Sequence, residues 1–156
     1  MLKDIRLVLI GFGNVGRAFA SLLLQKEKTL LNEYGIQARV TGIITKRHGA
    51  VINADGIDLA RALALIEANR SLVELSTHVF NGNTLDFIKA CEADVLVETT
   101  PVNPQAGTPA IDHLKAGFEK GMHGITANKG PVVYAYKKLT ELAQAKGLKF
   151  RFESAV

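Results

Sequence analysis

Residues 5–20, IRLVLIGFGNVGRAFA, constrain this chain more than any other stretch. Ile5, Leu7, Val8, Leu9 and Ile10 form a short apolar run of the length and composition of a buried strand. Gly11, Gly13 and Gly16 follow at G-x-G-x-x-G spacing, and Val15, Phe19, Leu22 and Leu23 then recur at a helical period. Strand, glycine turn and helix in that order are the context in which this spacing marks a dinucleotide-binding fingerprint. Each glycine has its own physical reason. Gly11 permits the tight turn, Gly13 lets backbone approach a pyrophosphate, and Gly16 lets helix pack closely on strand. A helix starting near Asn14 offers free amides and a positive dipole end to an anion. Phe12, Asn14 and Val15 complete the stretch and join the expected cofactor-binding set.

The rest of the composition narrows the class. With 156 residues, 47% of them hydrophobic and 22% charged, the chain has the make-up of one soluble globular domain. No apolar run approaches the ~18 residues of a membrane span, and Lys3, Asp4 and Arg6 break the only apolar stretch near the N-terminus. Cys91 is the sole cysteine, which excludes an intrachain disulfide and points to a cytoplasmic location. Its neighbours Phe87, Ile88 and Ala90 make it a small buried hydrophobe. The net charge of +4 is modest, its basic residues are scattered and Trp is absent, so nucleic acid is a poor candidate partner.

Helical and strand patterns then alternate. A first helix is expected over about 14–32, a turn at Gly35, and a buried strand over 38–45, ARVTGIIT. Thr45, Lys46 and Arg47 stand at the end of that strand, where a cofactor with a free ribose 2′-hydroxyl usually meets an acid. Two cations favour a 2′-phosphate instead, and NADP over NAD. A long loop is expected over 47–56, then a helix over 57–69 with Asp55 near its cap. Residues 71–80 are ambiguous and could hold a short strand. Residues 81–84 read as a turn and helix cap.

ADVLVETTP, residues 93–101, is the second clear buried strand, with Glu98, Thr99 and Thr100 at its carboxyl end and Pro101 as its stop. Ligands of open parallel sheets bind outside such ends. Thr108 and Pro109 start another helix, which Gly121 ends. HGITANKGP, residues 123–131, repeats the strand-then-polar design and sets Ala127, Asn128 and Lys129 on the same rim as Thr100. A helix over 133–146 and a last strand, LKFRFES, complete a doubly wound, mostly parallel α/β sheet of the Rossmann type. His48, His78, His113 and His123 show no metal-ligand spacing, His123 reads as structural, and neither G-x-S-x-G nor a P-loop occurs.

Taken together, GFGNVG, GIITKR, DGIDL, DVLVETTP, TANKGP and the closing FESAV resemble the N-terminal nucleotide-binding domain of homoserine dehydrogenase, in order and spacing over nearly the whole chain. The resemblance implies NADP- or NAD-dependent interconversion of homoserine and aspartate semialdehyde, on the route to threonine and methionine. It also implies a homodimer for the full-length enzyme. The family's catalytic domain, expected after residue 156, is not in this sequence, so a separate domain or truncated product without activity of its own is expected. By the same resemblance Thr99, Thr100 and Pro101 line the nicotinamide side with Asn128. Lys129 lies near the reacting carbon, as a proton relay or, more safely, a positioning cation. Glu153 and Val156 match the start of a segment that binds sodium through a carboxylate and carbonyls. Two ligands cannot close such a shell, so binding here is expected to be weak or absent. Two other readings stay open. One is another amino-acid dehydrogenase such as aspartate dehydrogenase, against which DGIDL and TANKGP argue. The other is a stand-alone nucleotide-sensing module.

Overall fold

The apolar run at the start of the chain forms β1, Lys3–Ile10, whose last four residues are buried. The computed structural model describes residues 1–153. After β1 come α1 (Asn14–Tyr34), β2 (Ile36–Ile44), β3 (Ala50–Ile52), α2 (Leu59–Glu67) and a 3-10 turn (Leu72–Leu75). The second half holds α3 (Thr84–Ala90), β4 (Val95–Glu98), α4 (Ala110–Glu119), β5 (His123–Thr126), α5 (Lys129–Ala145) and β6 (Phe150–Phe152). One sheet has the order β3-β2-β1-β4-β5-β6, parallel throughout except for β3, which runs antiparallel to β2. The doubly wound α/β class expected from the sequence is the fold observed.

Two apolar cores flank the sheet. On one face Leu7, Leu9, Val40, Ile43 and Val97 meet Ala20 of α1 and Ala62 of α2. On the other, Val8, Ile10 and Leu96 meet Phe87 of α3, Leu114 and Phe118 of α4, and Leu139 of α5. Alternate residues of β1 serve opposite cores, as the two-residue strand period requires. Cys91 is wholly buried in the second core, and burial pushes its thiol up to about 12.

Several boundaries differ from the sequence expectation. The loop 47–56 contains β3, because Ala50, Val51 and Ile52 pair with Ile44, Ile43 and Gly42 at the sheet edge. Residues 71–80 hold the 3-10 turn rather than a strand. Asp58, not Asp55, caps α2, accepting from the Arg61 amide at 3.0 Å. The cap at residues 81–84 is as expected: Asn83 and Asp86 form a reciprocal capping box. In α1, Phe19 and Leu23 pack inward, but Val15 (52% exposed) and Leu22 (49%) do not. The helix rests on the sheet through Gly16 and Ala20, its two buried residues, and that contact rotates both side chains outward.

At the opposite end of the strands, Arg6 binds Asp94 through its backbone amide (2.8 Å) and its guanidinium (2.9 and 3.2 Å), tying β1 to the entry of β4. That pairing holds the Asp94 carboxyl below its ordinary value. A depressed folded-state pKa contributes stability above the unfolded value and loses it as pH falls through the folded value. Both side chains are about a third exposed, so Asp94→Asn should cost no more than about 1 kcal/mol at pH 7. Urea unfolding of both proteins should show the difference shrinking to nothing as pH drops below the usual carboxylate range. A difference independent of pH would remove the ion pair from the account.

Candidate functional site

The register places the carboxyl ends of four strands level. Ile10 pairs with both Ile44 and Glu98, and Glu98 pairs with Thr126. The glycine turn leaves β1 at the centre of this row. Gly11 has φ +94°, and a Cβ there would stand 3.0 Å from the Thr99 carbonyl carbon. A Cβ on Gly16 would stand 2.8 Å from the Gly11 oxygen, whereas one on Gly13 would meet nothing within 4 Å. Two glycines are therefore required by the protein's own packing, and the third leaves open space over the start of α1. No side chain caps that helix, which leaves first-turn amides for an anionic ligand. The residues present thus fit a dinucleotide pyrophosphate.

Phe12 points into the core and is 4% exposed, so only its backbone faces the turn. Asn14 and Val15 are exposed at the helix start. Arg17 folds back over this end, its Nη2 donating to Asn14 Oδ1 at 2.7 Å and its Nε to the Gly13 carbonyl at 3.3 Å. It adds a cation beside the turn.

On the β2 side, the Thr45 hydroxyl donates to the Gly49 carbonyl (3.1 Å) and accepts from the His48 amide (2.7 Å). Thr45 thereby fixes the turn that carries Lys46 and Arg47, both exposed. Neither cation takes part in an ion pair among the described residues.

On the β4 and β5 side, the Thr99 hydroxyl donates to the Gly11 carbonyl at 3.2 Å, so it braces the glycine turn. β4 ends at Glu98 rather than running to residue 101, because the Glu98 carboxylate takes the Thr100 amide at 3.0 Å and turns the chain out. Asn128 joins the two rims: its Nδ2 donates to the carbonyls of Thr100 (3.0 Å) and Pro101 (3.3 Å). Its Oδ1 accepts from the Gly130 amide at 2.9 Å and caps α5. That cap starts α5 at Lys129, four residues before the expected start, with Lys129 exposed on the helix's first turn. Asn128, Lys129, Thr100 and Pro101 are thus brought together as expected. Beneath them lie the buried side chains of Glu98, Thr126 and His113, whose burial the sequence pattern did not foretell. Glu153 is exposed just after β6, and Val156 lies outside the described residues. No three His, Cys, Asp or Glu side chains cluster as metal ligands among the described residues. Among those residues, no helix is long and apolar enough to cross a membrane.

The family described as "Homoserine dehydrogenase, NAD binding domain" matches this chain over residues 11–153. The chain belongs to that family. It is 36% identical over 150 residues to homoserine dehydrogenase of Methanocaldococcus jannaschii, covering 96% of this chain and 44% of that protein. It is 30% identical over 155 residues to the NAD(+)-dependent homoserine dehydrogenase of Pseudomonas canavaninivorans, covering 99% and 44%. A hyperthermophilic archaeal homoserine dehydrogenase mutant, solved in complex with NADPH, superposes with a TM-score of 0.82 at 25% identity, covering 99% of this chain and 45% of that one. The chain therefore spans less than half the length of these relatives.

The open space at Gly13 separates ligand from fold. Gly13→Val should lower stability by no more than about 1 kcal/mol and weaken dinucleotide binding roughly tenfold or more. Gly16→Ala, which drives a methyl against the Gly11 carbonyl, should instead cost about 1–3 kcal/mol of stability. Thermal unfolding and fluorescence titration of both variants check the contrast. Undiminished affinity in a folded Gly13→Val protein would mean that no ligand uses the space Gly13 leaves open.

Proposed function

We propose that this domain binds NADP in preference to NAD, as the cofactor-binding part of an enzyme that interconverts L-homoserine and L-aspartate 4-semialdehyde. One observation carries the reading. The level strand ends put Lys46 and Arg47 on one side of the glycine turn and Thr100, Pro101, Asn128 and Lys129 on the other. A dinucleotide laid across that turn meets cations at its adenosine end and hydroxyl, carbonyl and ammonium groups at its nicotinamide end. The bound cofactor supplies hydride chemistry. The chain's own residues bind and orient: Arg47 and Lys46 hold the 2′-phosphate, first-turn amides of α1 hold the pyrophosphate, and Lys129 presents its ammonium toward the substrate oxygen. Lys129 there acts as a positioning cation and, within reach of the alcohol, as a catalytic proton relay. Homodimer formation, sodium binding through Glu153 and Val156, and a cytoplasmic setting go with the longer enzyme in this reading.

Calorimetric titration of the chain with NADP and NAD tests the preference. NADP should bind more tightly, and Arg47→Ala should weaken NADP alone by about 1–2 kcal/mol, the worth of a charge-assisted contact. NAD binding equal to or tighter than NADP would overturn the preference and align this chain with its NAD(+)-dependent Pseudomonas relative.

Catalysis tests the division of labour. Hydride transfer requires the alcohol carbon about 3–3.5 Å from its acceptor, and small misplacements cost orders of magnitude. Homoserine oxidation by the 156-residue chain alone, followed by nicotinamide absorbance, should be undetectable, and in a full-length enzyme Lys129→Ala should lower turnover strongly. Robust turnover by the chain alone would place the whole substrate site within it.

A further inference from the structure

Beneath the nicotinamide-side rim lies a carboxylate with no solvent exposure at all, Glu98. It ends β4 on the same sheet face as Leu96 and Ile10, at the top of an otherwise apolar column. Burying a carboxylate there is costly unless every oxygen is partnered. Three donors converge on it: the Thr100 amide at 3.0 Å, the Thr100 hydroxyl, and the Thr126 hydroxyl at 3.1 Å. That is the pattern an acceptor-only group satisfies. The Thr126 hydroxyl in turn accepts from the Asn128 amide at 3.0 Å. From α4, the His113 ring closes the pocket. Its Nδ1 is 3.6 Å from Glu98 Oε1 and has no hydrogen-bond partner among the described residues.

Glu98 is therefore the point where two separate rims meet. Through Thr100 it fixes the segment leaving β4, and through Thr126 and Asn128 it fixes the segment that carries Lys129. We infer that Glu98 is a positioning residue that sets both rims for the nicotinamide end of the cofactor, without touching the cofactor itself. The inference rests on the dinucleotide reading above and deepens it, since it assigns the buried network to one end of the ligand. A residue that merely held the fold together would affect both ends alike. The adenosine side is supported separately, by Thr45 in the turn just after β2.

Glu98→Gln tests this, because an amide offers one acceptor and one donor where three donors converge. The probes are whichever of NADPH or NADH the wild-type chain binds more tightly, and the matching ADP-ribose (2′-phosphorylated for NADPH), which lacks the nicotinamide ring. Glu98→Gln should bind the dinucleotide about tenfold more weakly, the scale of one lost buried hydrogen bond. Its affinity for the ADP-ribose should change less than about twofold. Thr126→Val, which keeps the side-chain shape and removes the hydroxyl, should reproduce the same selective loss should Glu98→Gln fail to fold. Equal loss for both probes, or no loss for either, would overturn the inference and leave Glu98 a core hydrogen-bonding group. A wild-type chain that binds neither probe would overturn the dinucleotide reading itself, and this inference with it.

Discussion

The site depends on one close approach, between the turn that leaves β1 and the chain that leaves β4. At Gly11 and Gly16 there is no room for a side-chain carbon: the nearest backbone atoms would lie 3.0 and 2.8 Å away. The Thr99 hydroxyl closes the contact by donating to the Gly11 carbonyl. Because turn and β4 touch as backbone, α1 can lie down on the sheet through Gly16 and Ala20. Its first turn then points over the strand ends rather than away from them. Placing β1 and β4 side by side also creates the switch point at which chain connections diverge to opposite faces. In open α/β sheets that crevice is where a ligand is received.

The same economy of space recurs deeper in the fold. A Cβ on Gly42 would come within 2.6 Å of the Cys91 sulfur, so thiol and glycine occupy one packed position between β2 and α3. Next to it, the register between β1 and β2 slips by one residue, and Thr41 falls in the irregularity. Thr41 is 1% exposed, and its hydroxyl donates to the Glu92 carbonyl at 2.9 Å. A buried hydroxyl that finds a carbonyl costs little, whereas one left unpaired would cost roughly 1–3 kcal/mol. Cys91 is accordingly core filling, as its apolar neighbours in the sequence implied.

Much of this was legible in the chain itself. The glycine spacing is informative because two of its positions answer to backbone contacts that any chain with this turn must make. The stretches 5–10 and 93–101 read as strands from their apolar runs, whose two faces are both covered in the fold. What escaped reading depends on partners remote in sequence. β3 is only three residues long and exists because the edge of β2 pairs with it. The early start of α5 depends on Asn128 being held by carbonyls of Thr100 and Pro101, 28 and 27 positions away. Asp58 displaced Asp55 as a cap because the chain between them is still turning, with Gly56 at φ +109°. In the sequence, Glu98 stood with Thr99 and Thr100 as the polar carboxyl end of a strand. Its burial follows from the level register with Thr126, which no local pattern encodes.

The groups that face the proposed cofactor fall into two kinds. The glycine turn, the first turn of α1, and the rims held through Thr100 and Asn128 act mainly through backbone that the fold has already fixed. Their hydrogen bonds to a ligand require little further ordering, so they supply affinity at small entropic cost. Lys46, Arg47 and Lys129 are exposed side chains on fixed backbone. Each must give up rotamer freedom, on the order of 0.5–1.5 kcal/mol, to hold one position. Only a charge-assisted contact exceeds that cost comfortably. If these groups hold a dinucleotide as proposed, discrimination at its two ends would rest on groups that gain from binding only when the matching charge is present. Under the same proposal, the centre of the site would grip the part of the cofactor that NAD and NADP share.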